Sequence, residues 1–128
     1  MPAKTPEEIC SLFKKHMAAG DIEALLNIYD EEAVFLNQFR DVLKGREALR
    51  QVLGPLASAN AVFTFNSKQV IQSGDIALMH TEWKVSAPEA MSQYAIEVAR
   101  RQSDGSWRWL IGDPFTIGRE NAVKMKAA

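Results

Sequence analysis

The chain has 128 residues, of which 47% are hydrophobic, and a formal net charge of −1. This size and composition predict one globular domain over residues 1–128 and exclude a disordered chain. Acidic and basic residues are interspersed without a basic run, which argues against nucleic acid as a partner. No apolar run is long enough to span a membrane, and the first residues are too polar for a secretion signal, so we expect a cytoplasmic protein with no membrane partner.

Two helices are predicted at the start of the chain. Thr5 is suited to cap the first helix, and Pro6 to occupy its first turn. Apolar residues then recur at helical spacing until Gly20, which can adopt the left-handed conformation that ends a helix. Asp21 caps a short second helix, whose inward-facing stripe is expected to run as far as Tyr29.

A strand, a loop and a third helix are predicted next. Residues 33–36 have the composition of a short strand, and residues 37–44 that of a loop. The third helix is predicted over residues 46 to about 56 with Leu53 on its inner face, and Pro55 is expected to weaken its end.

The pattern changes from helical to strand-like after residue 61. Two tight turns are expected, over residues 73–75 and 103–106, and Pro88 marks a loop between two strands. The predicted strands cover residues 62–72, 76–86, 93–102 and 107–117, and residues 119–128 are expected to form a frayed helix or a tail. Helices followed by long antiparallel strands indicate a segregated α+β fold with a cavity between its two layers.

Four short motifs resemble those of the nuclear transport factor 2-like superfamily, and of its SnoaL-like and ketosteroid-isomerase-like branches in particular. They are Gly-Asp-Ile-Glu-Ala-Leu at 20–25, Tyr-Asp-Glu-Glu-Ala-Val at 29–34, Gly-Arg-Glu at 45–47 and Asp-Gly-Ser-Trp-Arg at 104–108. The resemblance implies a cone-shaped α+β barrel, in which three N-terminal helices pack on a strongly curved antiparallel sheet that encloses a pocket. Because this superfamily includes isomerases, cyclases, hydrolases and non-catalytic modules, function has to be argued from the site.

The ketosteroid isomerase mechanism needs a carboxylate base and two hydrogen-bond donors, a tyrosine and a protonated acid, that face an oxyanion. By resemblance the base position falls at Asn37 and the tyrosine position at Phe13, and neither side chain can perform the corresponding step. The acid position falls at Glu97, where an acid is kept, and Tyr29 matches a tyrosine that supports the oxyanion network. Classical ketosteroid isomerisation is therefore not expected.

Glu97 is the main catalytic candidate. It lies in the apolar segment 94–99, and a carboxyl placed in a dry cavity has a raised pKa and can act as acid or base near neutral pH. The alternative is that Glu97 faces solvent, or pairs with an arginine such as Arg100 or Arg108.

Strand 76–86 does not reveal which of its sides is buried. His80 lies on one side and Trp83 on the other, and both sides begin with apolar residues. His80 is a candidate general base, or else a surface histidine. Trp83 is a candidate pocket wall, or else part of a subunit interface.

The last strand and the loop at residues 37–41 also leave alternatives open. The resemblance places Leu110 and Gly112 toward the cavity, which leaves the tryptophans of this strand outward at a dimer interface. A register shifted by one residue would bring the tryptophans and Asp113 into the pocket instead. In the loop, Asn37 could bind a ligand carbonyl and Phe39 could close the entrance, or the loop is an ordinary solvated turn.

Cys10 and the histidines give little sign of metal or thiol chemistry. Cys10 is the single cysteine, and its apolar helical surroundings favour a buried packing role over that of a nucleophile. His16 and His80 lack the short spacings of a metal site, so no metal is expected.

Two functions follow as hypotheses. The first is a cofactor-independent isomerase or cyclase acting on a carbonyl-bearing ring or polyketide-like compound, with Glu97 titrating and Asn37 and His80 assisting. The second is a non-catalytic module that binds a small apolar molecule or dimerises. A third, an epoxide hydrolase, has an Asp–Arg–Asp set only in composition, at Asp113, Arg100 and Asp41.

The chain is expected to form a homodimer. The residues expected to hold the ligand are Phe13, Met17, Tyr29, Phe35, Phe39, Leu53, Trp83, Leu110 and Asp113.

Overall fold

The computed structural model describes residues 2–87 and 90–118, so the predicted tail at 119–128 and Pro88 lie outside the described residues. The helices are α1 (Pro6–Ala19), α2 (Ile22–Leu26) and α3 (Arg46–Ser58). The strands are β1 (Tyr29–Leu36), β2 (Val42–Lys44), β3 (Val62–Ser73), β4 (Ile76–Ala87), β5 (Met91–Arg101) and β6 (Trp107–Asp113). None of the helices within the described ranges is both long and apolar enough to cross a membrane.

The strands form one curved, open sheet in the order β2-β1-β6-β5-β4-β3, with the helices packed against it. The predicted α+β fold with three helices on a curved sheet is confirmed. The strand pairing adds a feature that the prediction lacked, because β1 and β6 run parallel while the other neighbours are antiparallel. The last strand is inserted between the first strand and the β3–β5 meander, so it joins these two parts of the sheet by a long-range contact.

The ends of α1 are set by local capping, as predicted. The Thr5 hydroxyl accepts a hydrogen bond from the Glu8 amide at 3.3 Å, and Pro6 occupies the first turn. Gly20 ends the helix with a left-handed φ of 72°, and its amide donates to the Met17 carbonyl. These caps fix the length of α1, which lays Phe13 against the sheet.

The boundary between α2 and β1 differs from the prediction. The helix ends at Leu26, and Tyr29 opens the strand, four residues before the predicted start at residue 33. Asp30 is buried at this point, where its carboxylate accepts hydrogen bonds from Arg100 Nη2 at 2.7 Å and from Gln102 Nε2 at 2.9 Å. The local sequence shows only a charged residue at this point. Its ion-pair partner Arg100, which allows an aspartate to be buried in a strand, lies 70 residues further along the chain.

The third helix and the loop before it also differ in their ends. Residues 42–44, predicted as loop, form the edge strand β2 against β1. The helix α3 continues to Ser58 with Pro55 inside it, although proline removes one backbone donor. Leu49, Leu53 and Ala57 are buried along its inner face, and this packing holds the last turn in place.

The strand β6 ends at Asp113 rather than at residue 117. The Asp113 carboxylate accepts hydrogen bonds from the amides of Phe115 and Thr116, at 3.2 and 3.0 Å. Pro114 has no amide to continue the ladder, so the chain leaves the sheet and begins a helical turn at Thr116.

Candidate functional site

A cavity of about 150 Å³ lies between the helices and the inner face of the sheet. Of the residues predicted to form the site, six line it: Phe13, Tyr29, Phe35, Leu53, Trp83 and Glu97. Gly112, which the resemblance placed toward the cavity, lines it as well, and so does Trp109, which the alternative register placed there. The remaining lining residues are Leu36, Leu49, Val52, Leu56, Phe63, Phe65, Ala95, Pro114 and Phe115. The wall is therefore almost entirely apolar, with Glu97 as its one carboxyl group among the described residues.

Aromatic rings from α1 and four strands pack together to form the wall. The ring of Phe13 meets Phe63 edge-on at a centroid distance of 5.1 Å and Phe65 at 5.5 Å. The ring centroid of Trp109 lies 5.7 Å from that of Phe13 and 5.5 Å from that of Tyr29. Edge-to-face contacts of this kind add to the free energy of burial, so the wall is preformed and resists collapse.

The inner face of the sheet is the one that carries Trp83. In β4 the odd-numbered residues Ala77 to Val85 are buried, and in β5 the same holds for Ala95, Glu97 and Ala99. This resolves the ambiguity of strand 76–86. Trp83 lies on the cavity side, and its Nε1 donates to the Pro114 carbonyl at 3.2 Å.

Glu97 is a buried carboxyl without a charged partner. It lies opposite Met79 in β4 and Gly112 in β6, and only 9% of the residue is exposed. Its Oε1 and the nearby Thr81 Oγ1 are both buried, and neither has a hydrogen-bond partner among the described residues. Burial raises the pKa of Glu97 to about 8, with the Thr81 hydroxyl acting in the opposite direction. The carboxyl is therefore mostly protonated at neutral pH.

The arginine that could have neutralised Glu97 is engaged elsewhere. Arg100 lies on the outer face, where its Nε and Nη2 atoms contact the two carboxylate oxygens of Asp30 at 3.0 and 2.7 Å. Burial alone would raise the pKa of Asp30, but the hydrogen bonds from Arg100, the Glu32 amide and Gln102 lower it to about 2. The alternative that Glu97 pairs with Arg100 is thereby excluded.

Tyr29 and Cys10 are electrostatic neighbours of Glu97. Burial, and then the Glu97 charge, raise the pKa of the Tyr29 hydroxyl, so it stays protonated throughout the physiological range. The same two causes raise the pKa of the Cys10 thiol. A thiol that holds its proton is a poor nucleophile, which agrees with the predicted packing role.

A β-bulge in β6 explains why neither of the two predicted registers holds along the whole of the last strand. Val98 pairs with Ile111 and Ala99 with Trp109, so Leu110 is the extra residue. Before the bulge Trp109 faces inward, and after it Gly112 does, whereas Ile111 is 47% exposed on the outer face. The tryptophans are buried rather than outward, and Leu110 does not line the cavity.

Five other predicted residues lie outside the cavity. Asn37 organises its own loop, since its Oδ1 accepts from the amides of Phe39 and Asp41, both at 2.9 Å. Phe39 is 72% exposed on that loop. His80 is exposed on the outer face of β4. Met17, on α1, is fully buried in the hydrophobic core. Asp113 caps the turn after β6. The three residues of the Asp–Arg–Asp hypothesis, Asp113, Arg100 and Asp41, do not come together.

The chain resembles a known domain family over most of its length. A family model described as the SnoaL-like domain matches residues 11–110. No curated protein matches the chain.

Solved structures resemble it as well. A putative calcium/calmodulin-dependent protein kinase type II association domain from Thiobacillus denitrificans has a TM-score of 0.72 at 17% identity, covering 91% of this chain and 99% of its own. A putative dehydratase of the NTF2-like family from Streptomyces avermitilis has a TM-score of 0.64 at 18% identity, covering 84% and 91%. A ketosteroid isomerase-like protein from Erwinia carotovora atroseptica has a TM-score of 0.64 at 19% identity, covering 84% and 89%. At such identities these structures bear on the fold alone.

Proposed function

Because the chain belongs to the SnoaL-like domain family of the nuclear transport factor 2-like superfamily, we propose that it binds a small, neutral, largely apolar molecule and acts on it by acid–base chemistry. The observation that carries this proposal is Glu97, a buried carboxyl without a charged partner in an otherwise apolar cavity, whose Oε1 has no hydrogen-bond partner among the described residues. An unpartnered buried polar group costs free energy of folding, which indicates that it is kept for a task.

The chemistry follows from the protonation state of Glu97. A neutral carboxyl donates a hydrogen bond to an oxygen of the ligand and stabilises negative charge that develops there. Such a donor fits isomerase- or cyclase-type reactions of carbonyl compounds, which need no cofactor.

A binding function without turnover is the second candidate. Apart from Glu97 and Tyr29, none of the described lining residues titrates, so no separate carboxylate base stands ready beside the ligand. Asn37 and His80, the predicted helpers, lie away from the cavity. In this case Glu97 and the aromatic wall would hold the ligand without converting it.

A thermal-shift screen with wild type and Glu97→Gln tests the main proposal. Steroids, aromatic polyketide-like compounds and short carbonyl compounds are compared, because a ligand that binds the folded state raises Tm. Glu82→Gln is the matched control, since Glu82 lies on the outer face of β4 and pairs with Lys68 at 3.6 Å. We expect one class to stabilise wild type and the control, and Glu97→Gln to show a smaller response, because an amide is a weaker donor than a neutral carboxyl.

Turnover assays with the stabilising class then separate the two candidates. Loss of turnover in Glu97→Gln with the fold intact supports acid–base chemistry. Binding without turnover in wild type supports the holding function. Full turnover in Glu97→Gln would contradict the role of Glu97 altogether.

We also propose that the protein acts in the cytoplasm, since its one thiol needs no oxidising compartment. We further propose that it forms a homodimer through the outer face of the sheet. Directly paired apolar residues run across five strands on that face, and such a continuous apolar row favours an interface. The row consists of Ile71, Leu78, Val98, Ile111 and Val34. It replaces the tryptophans, which the prediction had placed outward.

A further inference from the structure

A second residue of the cavity lining has a buried polar atom without a hydrogen-bond partner among the described residues. Trp109 is only 4% exposed, and its Nε1 makes no hydrogen bond within the described part of the chain. The indole N–H of a buried tryptophan usually finds an acceptor. Trp83, on β4 of the same inner face, follows that rule, because its Nε1 donates to the Pro114 carbonyl. The indole N–H of Trp109 is thus a buried donor that a ligand acceptor atom could use.

The sheet register brings Trp109 close to Glu97. Trp109 lies opposite Ala99, and Glu97 is two residues before Ala99 on the same face of β5. Such diagonal neighbours on adjacent strands have Cα atoms about 7–8 Å apart, within reach of an aromatic side chain. Gly112, directly opposite Glu97, has no side chain to fill the space beside the carboxyl. The register thus places the two unpartnered donors on neighbouring strands of the same face, beside the space at Gly112.

The size and charge of the cavity restrict the ligand further. An apolar cavity of about 150 Å³ in another protein takes one benzene ring, and the cavity here has about that volume. A single ring therefore matches this space, and a four-ring steroid exceeds it. No Lys, Arg or His lines the cavity in the described residues, so a carboxylate ligand would be buried without a counter-charge.

We propose that the cavity takes a neutral, single-ring carbonyl compound, whose oxygen accepts hydrogen bonds from both the Glu97 carboxyl and Trp109 Nε1. This inference rests on the proposed ligand-binding function and narrows it to one class of ligand. It assigns to Trp109 the second donor role that Phe13, which has no hydroxyl, cannot perform.

Binding of two ring compounds of nearly equal shape tests the role of Trp109. Acetophenone has the carbonyl oxygen, and ethylbenzene lacks it. Affinities are measured by calorimetry at pH 6 for wild type, Trp109→Phe and Trp107→Phe, the last being a buried tryptophan of the same strand that does not line this cavity. Within one variant, a general change in the packing of the wall affects the affinities for both compounds alike, so the ratio of the two affinities reports the hydrogen bond alone.

We expect wild type to prefer acetophenone, and Trp109→Phe to reduce that preference about threefold to tenfold, the value of one neutral hydrogen bond. Trp107→Phe should leave the ratio unchanged. An unchanged ratio in Trp109→Phe would show that Trp109 is only a wall and would overturn its role as a donor.

A measurement on the wild type covers the case in which Trp109→Phe fails to fold. The chain has three tryptophans, so its indole N–H groups give three signals in a ¹⁵N-correlated NMR spectrum. Acetophenone should shift the Trp109 indole proton downfield, and ethylbenzene should not. Equal shifts with both compounds would contradict the proposed hydrogen bond.

Benzoate and progesterone separate failure of this inference from failure of the proposed function. Neither should bind, because one is charged and the other too large. If progesterone binds in a Glu97-dependent manner while acetophenone does not, the cavity function holds and the single-ring inference fails. If no neutral compound binds, both fail.

Discussion

At the scale of single residues, the protonated Glu97 predicts a pH-dependent stability. Its pKa is about 8 in the folded chain and about 4.5 in the unfolded chain. Between these values the folded state holds a proton that the unfolded state has lost, so the free energy of unfolding falls as pH rises. The expected loss is up to about 1.4 kcal/mol per pH unit.

Denaturant unfolding of wild type and Glu97→Gln between pH 4.5 and 8 measures this effect. The stabilising contribution is fully present below pH 4.5 and is lost as pH rises to 8, and Glu97→Gln should remove that slope. Parallel profiles for the two proteins would mean that Glu97 titrates normally and faces water.

Gly112 offers a second residue-scale prediction. A Cβ added there would approach only Phe35 Cβ, at an ordinary 3.8 Å, so Gly112→Ala should fold with unchanged or slightly higher stability. The new methyl group would occupy the space beside Glu97 and weaken binding of a cavity ligand by about 1 kcal/mol or more. Parallel measurements of Tm and ligand affinity check both parts. Unchanged affinity would place the ligand elsewhere.

Sequence reasoning reached Glu97 but left the side of Trp109 open between two registers, for a physical reason. Glu97 was found because the family position keeps an acid there, and burial then follows from its apolar neighbours. Whether Trp109 faces inward depends on the bulge at Leu110, which is a property of the pairing between two strands. Alternation along a single strand cannot reveal it.

At the scale of elements, Gly20 links α1 to the end of α3. An alanine at this position would carry a strained φ of 72°, and its Cβ would come within 3.0 Å of Asn60 Nδ2 and 3.1 Å of the Ala57 carbonyl. Gly20→Ala should therefore destabilise the fold by about 2 kcal/mol or more.

Gly74→Ala is the matched control for this substitution. Gly74 also has a left-handed φ, 58°, but nothing lies within 4 Å of an added Cβ. It should lose only the backbone contribution of about 1 kcal/mol. Urea unfolding of both variants isolates the contact between α1 and α3, and equal losses would show that this contact contributes nothing.

Elements whose signals are local were predictable, and those fixed by distant partners were not. The caps of α1 and the turn before β6 lie in contiguous residues, so the sequence contains them directly. The early start of β1 depends on the pairing of Asp30 with Arg100, and β2 exists only because β1 lies beside it. Their positions required the three-dimensional structure.

At the scale of the whole molecule, the outer apolar row predicts a dimer that charge can disrupt. Ile71 and Ile111 are 53% and 47% exposed on that face. Replacing both by lysine should yield a monomer, because two buried like charges would oppose each other across the interface. Phe39→Lys is the control, since Phe39 is 72% exposed on a loop away from the sheet.

Sedimentation velocity at micromolar concentration distinguishes these outcomes. Wild type and Phe39→Lys should sediment as dimers, and the double variant as a monomer. A monomeric wild type would contradict the proposed dimer, and a dimeric double variant would move the interface to another surface.

The fold as a whole could be predicted from the order of the elements, whereas the set of residues that line the cavity could not. Helices followed by long strands determine the layers, and the family resemblance supplies the curvature. The position of the loop at Asn37 and the inward face of β4 depend on how the sheet bends, so Asn37 and His80 were assigned to a cavity that they do not reach.

The bulge at Leu110 has a consequence for how this protein can evolve. A change that pairs Leu110 with Val98, and so removes the bulge without removing the residue, would exchange the inner and outer sides of the segment that follows it. It would present Ile111 to the cavity and Gly112 to the outer row. Deleting Leu110 would instead leave both residues on their present sides. The register of this one strand segment thus separates two different chambers built on the same scaffold. Substitutions in the wall adjust the cavity gradually, whereas a register shift here would remodel it in one step, which offers a route by which related chains acquire new ligands.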